Sequence, residues 1–138
     1  MKRITINEAK NFHGHLGPYL ILGVLAGELA VNKLKCRKYF GLEVRVRGAV
    51  KKPKSCLIDG LQLSTGATYG KGNIKKIEAN KLSISFSNLK NRKKITLSLT
   101  EGLAEKLNKL KNHKDCEEFA RKLHKINPSE IFHLTTGE

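Results

Sequence analysis

Residues 16–34 read LGPYLILGVLAGELAVNKL and include the most apolar part of the chain. Pro18 suits the first turn of a helix, because its missing N–H group would have no partner there. We predict a helix over residues 17–34. Its apolar residues occur on nearly every side, which indicates a central helix covered on most of its surface. The segment also contains Glu28 and several glycines, and it falls short of the roughly 20 apolar residues that a membrane span needs.

Two glycines of this segment, Gly23 and Gly27, lie about one helical turn apart and form a smooth stripe. Glycine has no side chain, so another backbone can approach closely along such a stripe. A sheet or a partner subunit can fill that position. Tight packing within one chain can also fill it, and this is the alternative that we favour.

The flanking segments supply further helices and a sheet. Thr5 and Glu8 have the spacing of a capping box, which predicts a helix over residues 6–12 that ends near Gly14. Alternating apolar and charged residues predict a strand over 42–50. A helix follows over 56–64 with Ser55 as its N-cap, and then come strands over 74–78, 82–86 and 95–99. Hairpin turns are predicted at 79–81 and 90–92, a helical period begins at Glu101, and a last helical turn opens at 127–129.

This order of elements predicts an α+β fold, with a mainly antiparallel sheet packed against helices and one central apolar helix. The chain of 138 residues has the length of a single domain, which we place over 1–138. About two residues in five are apolar (39%), so wholesale disorder is excluded. A core of this size needs no disulfide or metal to fold.

The cysteines indicate a reducing compartment. Three of them are too few for a disulfide framework, and the absence of a Cys-x-x-Cys pair excludes a zinc ribbon or a thioredoxin-type motif. Reduced thiols are typical of cytosolic proteins. Residues 1–5, MKRIT, begin no signal peptide. We therefore expect a cytoplasmic protein without a membrane partner.

The net charge of +15 is concentrated in the middle of the chain. Residues 31–100 contain seventeen Lys and Arg against three Asp and Glu, whereas residues 101–138 contain seven of each. Such an excess can bind nucleic acid or another polyanion. It can equally form a solvated lysine-rich face of the kind found in proteins from hot environments, although Glu is not enriched here.

Two histidines separated by one glycine, His13 and His15, lie between the first helix and the apolar helix. In an extended segment, residues two apart point to the same side, so both imidazoles can reach one metal ion. Neutral imidazole suits zinc, nickel, iron or copper. Alternatively, the two side chains only form hydrogen bonds at the helix start.

Cys56 follows a basic turn that contains Lys51, Lys52 and Lys54 and opens the helix over 56–64. Positive charge and a helix N-terminus both favour a thiolate, which can bind a metal or act as a nucleophile. Asp59 lies one turn later and can accept a hydrogen bond from a metal-bound histidine. A small buried cysteine without a chemical role is the alternative.

Three glycines and Lys71 within residues 66–73, GATYGKGN, predict a loop whose backbone N–H groups suit an anionic group. Its spacing is one residue short of a P-loop and it leads into a strand, so the loop is not a P-loop and does not favour ATP binding of that type. A tight turn without a ligand is the alternative. We interpret Cys36 and Cys116 as structural, and we assign no role to His113, His124 and His133.

The segments FHGHLGP at 12–18, CLIDGLQ at 56–62 and GATYGKGN at 66–73 together resemble the FmdE/FwdE family of formylmethanofuran dehydrogenase over residues 8–90. The resemblance implies an α+β fold, a homodimer and a cytosolic setting. It also implies a divalent metal, usually zinc, bound by His13, His15 and Cys56. Further residues that the motifs place around the site or its ligand are Asp59, Gln62, Thr68, Lys71 and Asn73.

The chain departs from this family at two positions. Gly17 and Ala67 stand where relatives often have cysteine, so two sulfur atoms are missing near the expected site. We also expect a short form without the C-terminal cysteine-rich zinc module of many relatives. Three ligands alone would leave an open position for water or substrate.

Three functions follow from these patterns. The first, which the resemblance implies, is a small cytosolic metal-binding protein that serves as an accessory to a molybdenum or tungsten enzyme of one-carbon metabolism. The second is a basic module that binds nucleic acid or another polyanion. The third is a structural subunit that docks on a larger enzyme. No general acid or base is evident, so catalytic residues are not identified and enzymatic activity is left open.

Overall fold

The structure of the protein is a computed structural model that describes residues 3–137. The predicted domain over 1–138 remains a prediction, and residues 1, 2 and 138 lie outside the described range. Within it the helices are α1 (Ile6–His13), α2 (Pro18–Leu34), α3 (Cys56–Thr65), α4 (Glu101–Asn108), α5 (His113–Lys125) and α6 (Pro128–Ile131). The strands are β1 (Leu42–Arg47), β2 (Ile74–Ile77), β3 (Ser83–Asn88), β4 (Lys94–Leu99) and β5 (Phe132–Gly137). The predicted α+β class is confirmed.

The sheet has the strand order β2-β1-β3-β4-β5. β1 pairs with β2 in parallel, with Val44 opposite Ile74, and the other neighbouring strands are antiparallel. The prediction of a hairpin at 79–81 is therefore wrong, because β1 lies between β2 and β3. The helix α3 connects β1 to β2, and a crossover of this kind makes the two strands parallel. The hairpin at 90–92 is confirmed, since β3 and β4 pair directly.

The central helix α2 is buried at most of its positions, as predicted. Its glycine stripe faces α3, where a Cβ atom added at Gly23 would overlap the carbonyl oxygen of Leu57. On α3, a Cβ atom added at Gly60 would overlap the carbonyl oxygen of Leu20. The Ser64 hydroxyl donates a hydrogen bond to the Gly23 carbonyl oxygen at 3.2 Å. The expected packing within one chain is confirmed.

The predicted side-chain cap is present at the start of α1 and absent at the start of α3. The capping box of α1 is present, because the Glu8 N–H donates to Thr5 Oγ1 at 3.1 Å and the Thr5 N–H donates to Glu8 Oε1 at 3.1 Å. Ser55 does not cap α3 with its side chain, contrary to the prediction. Its backbone is already helical (φ −63°, ψ −17°), so its hydroxyl does not reach back to the free N–H groups of the first turn.

The edge strand β5 was not predicted from the sequence. It pairs with β4 over its whole length, with Phe132 opposite Leu99 and Leu134 opposite Leu97. Only these two residues of β5 are large and apolar, so the alternating pattern is too short to indicate a strand. β5 follows the predicted helical turn α6, which Asn127 caps by accepting a hydrogen bond from the Ser129 N–H.

Within residues 3–137, no single helix combines the length and apolarity needed to cross a membrane. In the same range, α1 and α2 meet that requirement when taken together, and the pair is bent by 119° at its break.

Candidate metal centre

A cavity of about 210 Å³ lies where the junction of α1 and α2 meets the start of α3 and the segment from α4 to α5. Its walls combine apolar side chains with histidines and cysteines. The lining residues are His13, His15, Gly17, Pro18, Tyr19, Leu20, Pro53, Cys56, Leu107, Leu110, His113 and Cys116. The structure thus brings His13, His15 and Cys56 to one cavity.

The two histidines reach this cavity through a helix end rather than through an extended segment. His13 is the last residue of α1, and Gly14 follows in the left-handed conformation with φ 95°. Only glycine adopts this conformation without strain, so it turns the chain at that point. The ring centroids of His13 and His15 lie 6.3 Å apart. Both rings face the cavity because the turn at Gly14 directs them there.

Asp59 holds the His13 ring in place. The distance between His13 Nδ1 and Asp59 Oδ2 is 2.6 Å. A carboxylate that accepts from Nδ1 leaves Nε2 as the ring atom that can bind a metal ion, and this pairing is common around metal-bound histidines. Gln62 Nε2 also lies 3.4 Å from Asp59 Oδ1. The Asp59 side chain is therefore oriented from one side by Gln62 and orients His13 on the other.

Cys56 is the first residue of α3 and is partly buried. Burial raises the pKa of its thiol, the negative charge of Asp59 raises it further, and only Lys52 opposes them. We expected the helix end and three lysines to favour the thiolate, and the net effect is the opposite. The lysines of the turn lie mostly exposed to water, where their charge is screened, whereas the thiol is partly removed from water.

The cavity contains two further donors, His113, to which the sequence assigned no role, and Cys116, which we interpreted from the sequence as structural. The centroid of the His113 ring lies 5.5 Å from that of His15, with the planes nearly perpendicular at 84°. Both residues belong to the first turns of α5 and have the spacing His-x-x-Cys, which places them on one face of a helix. This spacing is visible in the sequence. Nothing in the sequence shows that α5 packs beside His15.

The glycine-rich loop contacts the site through Gln62 and Tyr69. Gln62 Oε1 accepts a hydrogen bond from the Tyr69 N–H at 3.2 Å. Asn73 and Thr68 stabilise the loop itself, since Asn73 Oδ1 accepts from the Thr68 N–H and Thr68 Oγ1 accepts from the Lys71 ammonium. The Lys71 ammonium lies 5.3 Å from the Phe40 ring centroid. The role of Lys71 toward an anionic ligand remains a prediction, because Lys71 is not among the residues that line the cavity.

The donor types fit a zinc ion, because imidazole nitrogens and thiolate sulfurs are its preferred ligands. Within residues 3–137, no three His, Cys, Asp or Glu side chains are already arranged to hold a metal. Two imidazoles on one tetrahedral zinc have ring centroids about 5 Å apart, given Zn–N distances of about 2 Å. The pair His15–His113 is close to that spacing, and His13 must approach His15 by about 1 Å.

Comparison with known proteins gives three results. Residues 12–133 match the family described as "FmdE, Molybdenum formylmethanofuran dehydrogenase operon". A "Probable S-adenosyl-L-methionine-binding protein" of Archaeoglobus fulgidus is 31% identical over a stretch covering 56% of this chain and 22% of that protein. The chain thus spans only about a fifth of the length of this curated relative.

The third result is a structural match. The crystal structure of a tungsten formylmethanofuran dehydrogenase FmdE-like protein from Syntrophus aciditrophicus matches with a TM-score of 0.68 and 16% sequence identity. The match covers 100% of this chain and 77% of that chain. At this level of identity the likeness shows a common fold.

Proposed function

This chain belongs to the FmdE family, and from that premise we propose that it is a metal-binding protein with zinc held by His13, His15 and Cys56. The observation that carries the proposal is that all three side chains line one cavity and that Asp59 holds the His13 ring by Nδ1 at 2.6 Å. A histidine oriented by a carboxylate is a more basic ligand and has fewer orientations to lose on binding.

The residues around the three proposed ligands support a metal site in a further way. Leu20, Leu107 and Leu110 form apolar walls of the cavity. A low local dielectric strengthens the attraction between a cation and a thiolate. When bound in such a place, a divalent metal supplies Lewis-acid chemistry that polarises a carbonyl group or activates water.

Elemental analysis of the purified, untagged protein tests this proposal. We expect about one equivalent of zinc or another divalent metal in the wild type. The substitutions Cys56→Ser and His15→Ala should lower the metal content strongly. Cys36→Ser is a matched control, because Cys36 is a partly buried thiol that does not line the cavity. Equal metal content in Cys56→Ser and Cys36→Ser would refute the assignment.

We further propose that the protein is an accessory to a molybdenum or tungsten enzyme of one-carbon metabolism. The support is the family description, which places the family with a formylmethanofuran dehydrogenase operon. Isolation from native extract under mild conditions tests the idea, followed by identification of the associated chains. Co-purification with subunits of such an enzyme is expected, and recovery of this protein alone would count against the accessory role.

A further inference from the structure

We infer that the first turns of α5 supply two further metal ligands, His113 and Cys116, to the site proposed above. This ligand set rests on the proposed metal function and extends beyond the residues of the three sequence motifs. The metal centre would then contain ligands from three separate parts of the chain. These parts are the α1–α2 junction, the start of α3 and the start of α5.

The first observation is the distance between His113 and His15. Their ring centroids lie 5.5 Å apart, which is closer than the 6.3 Å between the two motif histidines. Coordination of two imidazoles by one zinc requires about 5 Å. Of these two pairs, His15–His113 is therefore nearer to the spacing that a shared metal ion imposes.

The second observation is that, among the described residues, neither the His113 nor the Cys116 side chain has another polar partner. In the part of the chain that the structure describes, the His113 ring and the Cys116 thiol have no hydrogen-bond or ion-pair partner. Within residues 3–137, the only aromatic contact of the His113 ring is the one with His15. On the same helix, His124 Nε2 lies 2.9 Å from the Ile4 carbonyl oxygen. His124 thus has a structural partner, whereas the donors of His113 and Cys116 are available.

The third observation is that α5 holds this pair in a defined orientation. Asn112 caps the helix by accepting a hydrogen bond from the Asp115 N–H at 2.9 Å. The other end of α5 is attached to the N-terminal segment through His124 and Ile4. Residues three apart on a helix lie on one face, so both donors of the His-x-x-Cys pair are directed into the same cavity.

A metal bound in this way would stabilise the position of α5. The segment from α4 to α5 contributes few buried side chains to the core, which are Leu103, Leu107, Ala120 and Leu123. A metal bound by both α5 and the α1–α2 junction would therefore attach this segment to the rest of the fold. Each thiol that coordinates loses its proton to the solvent, so uptake releases protons. The three ligands proposed above and these two make five candidate donors, whereas a tetrahedral zinc shell takes four.

Titration with Co²⁺ tests the ligand set, because cobalt replaces zinc and thiolate coordination produces a charge-transfer absorption. The full chain is compared with His113→Asn and Cys116→Ser. We expect each substitution to weaken Co²⁺ binding at least about tenfold, and Cys116→Ser to lower the charge-transfer intensity by about half. Cys36→Ser and His133→Asn are the matched controls and should titrate like the wild type.

The two proposals fail in different ways. If Cys56→Ser weakens Co²⁺ binding while His113→Asn and Cys116→Ser bind like the wild type, the α5 ligands are refuted and the metal function stands. If the wild type binds no Co²⁺, the proposed function itself fails. Hydrogen exchange of the wild type with and without Zn²⁺ needs no variant. Protection of residues 113–116 by Zn²⁺ supports the inference, and unchanged exchange there refutes it.

Discussion

At the residue scale, the hydrogen bond between His13 and Asp59 connects two segments that lie 46 positions apart in the chain. It fixes the tautomer of the ring, because a carboxylate that accepts from Nδ1 leaves the lone pair on Nε2. His13 is mostly buried, with its side chain 16% exposed, whereas Asp59 is 39% exposed. Asp59 therefore orients His13 while its own charge stays partly hydrated.

Removal of the Asp59 charge should weaken metal binding without abolishing it. We predict that Asp59→Asn lowers the affinity for Zn²⁺ by about 10- to 100-fold, because the amide orients the His13 ring less firmly. Competition with a chromophoric chelator measures the change. Glu130→Gln, an exposed carboxylate on α6, is the control and should have wild-type affinity. Equal affinities of Asp59→Asn and wild type would exclude this role.

The same substitution should change the chemistry of Cys56 in the metal-free protein. Burial is the main cause that raises the pKa of the Cys56 thiol, and Asp59 adds to it. A thiol with a raised pKa is mostly protonated at mildly alkaline pH, so it reacts slowly with iodoacetamide. Asp59→Asn removes one cause, so the pKa should fall and alkylation at mildly alkaline pH should become faster.

Cys36 provides the internal control for this measurement. Burial raises the pKa of Cys36 as well, but Asp59 is not among the causes. Its alkylation rate should therefore be the same in wild type and Asp59→Asn, as followed by peptide mass spectrometry. Slower alkylation of Cys56 in the variant would show that Asp59 does not raise its pKa.

At the scale of elements, the contact between α2 and α3 positions the cavity. α2 begins at Pro18 beside the two histidines and α3 begins at Cys56, so their relative placement sets the distance between these donors. The helices approach closely because Gly23 and Gly60 have no side chains. The packing of two glycine-containing helices thus determines the geometry of a site at their N-terminal ends.

A methyl group at this contact should destabilise the protein. We predict that Gly23→Ala lowers the free energy of unfolding by about 1–3 kcal/mol, because the added Cβ overlaps the Leu57 carbonyl and the helices must separate. The gain in helix propensity is smaller than this cost. Urea denaturation measures the difference.

Gly102→Ala is the matched control, because Gly102 is a helical glycine of α4 with nothing within 4 Å of an added Cβ. It should be neutral or stabilise by up to about 1 kcal/mol. A neutral or stabilising effect of Gly23→Ala would contradict the close contact between α2 and α3.

At the scale of the whole molecule, one group of lysines lies apart from the cavity. One surface depression is lined by lysines, namely Lys33, Lys35, Lys90, Lys93 and Lys94. None of its lining residues lines the cavity that contains the histidines. A change in salt concentration can therefore distinguish binding through these lysines from metal binding in the cavity.

Metal binding should be nearly independent of ionic strength. Direct bonds between a metal and its ligands are screened far less than contacts between exposed charges, so we predict similar Zn²⁺ affinity in about 0.1 M and about 0.5 M KCl. Adsorption to DNA through exposed lysines should weaken steeply over the same range. Isothermal titration and a filter-binding assay measure the two. A Zn²⁺ affinity that falls as steeply as DNA binding would contradict a site in the cavity.

Most local features of the fold follow from the sequence. The apolar residues after Pro18 predict α2, Thr5 and Glu8 predict the start of α1, and alternation predicts the strands β1, β3 and β4. These signals are local, because caps and periodicity depend on residues a few positions apart. The sequence also places His13, His15 and Cys56 in motifs, which is sufficient to choose them as candidates.

Only the tertiary structure determines which of these segments contact one another. It places β1 between β2 and β3, brings the His113 ring beside His15, and raises the pKa of Cys56 by burial and by the charge of Asp59. The physical reason is that strand order, burial and the field at a thiol depend on contacts between residues far apart in the chain. Neither the hydrophobic periodicity nor the helix-cap motifs of a sequence depend on such contacts, so they cannot predict them.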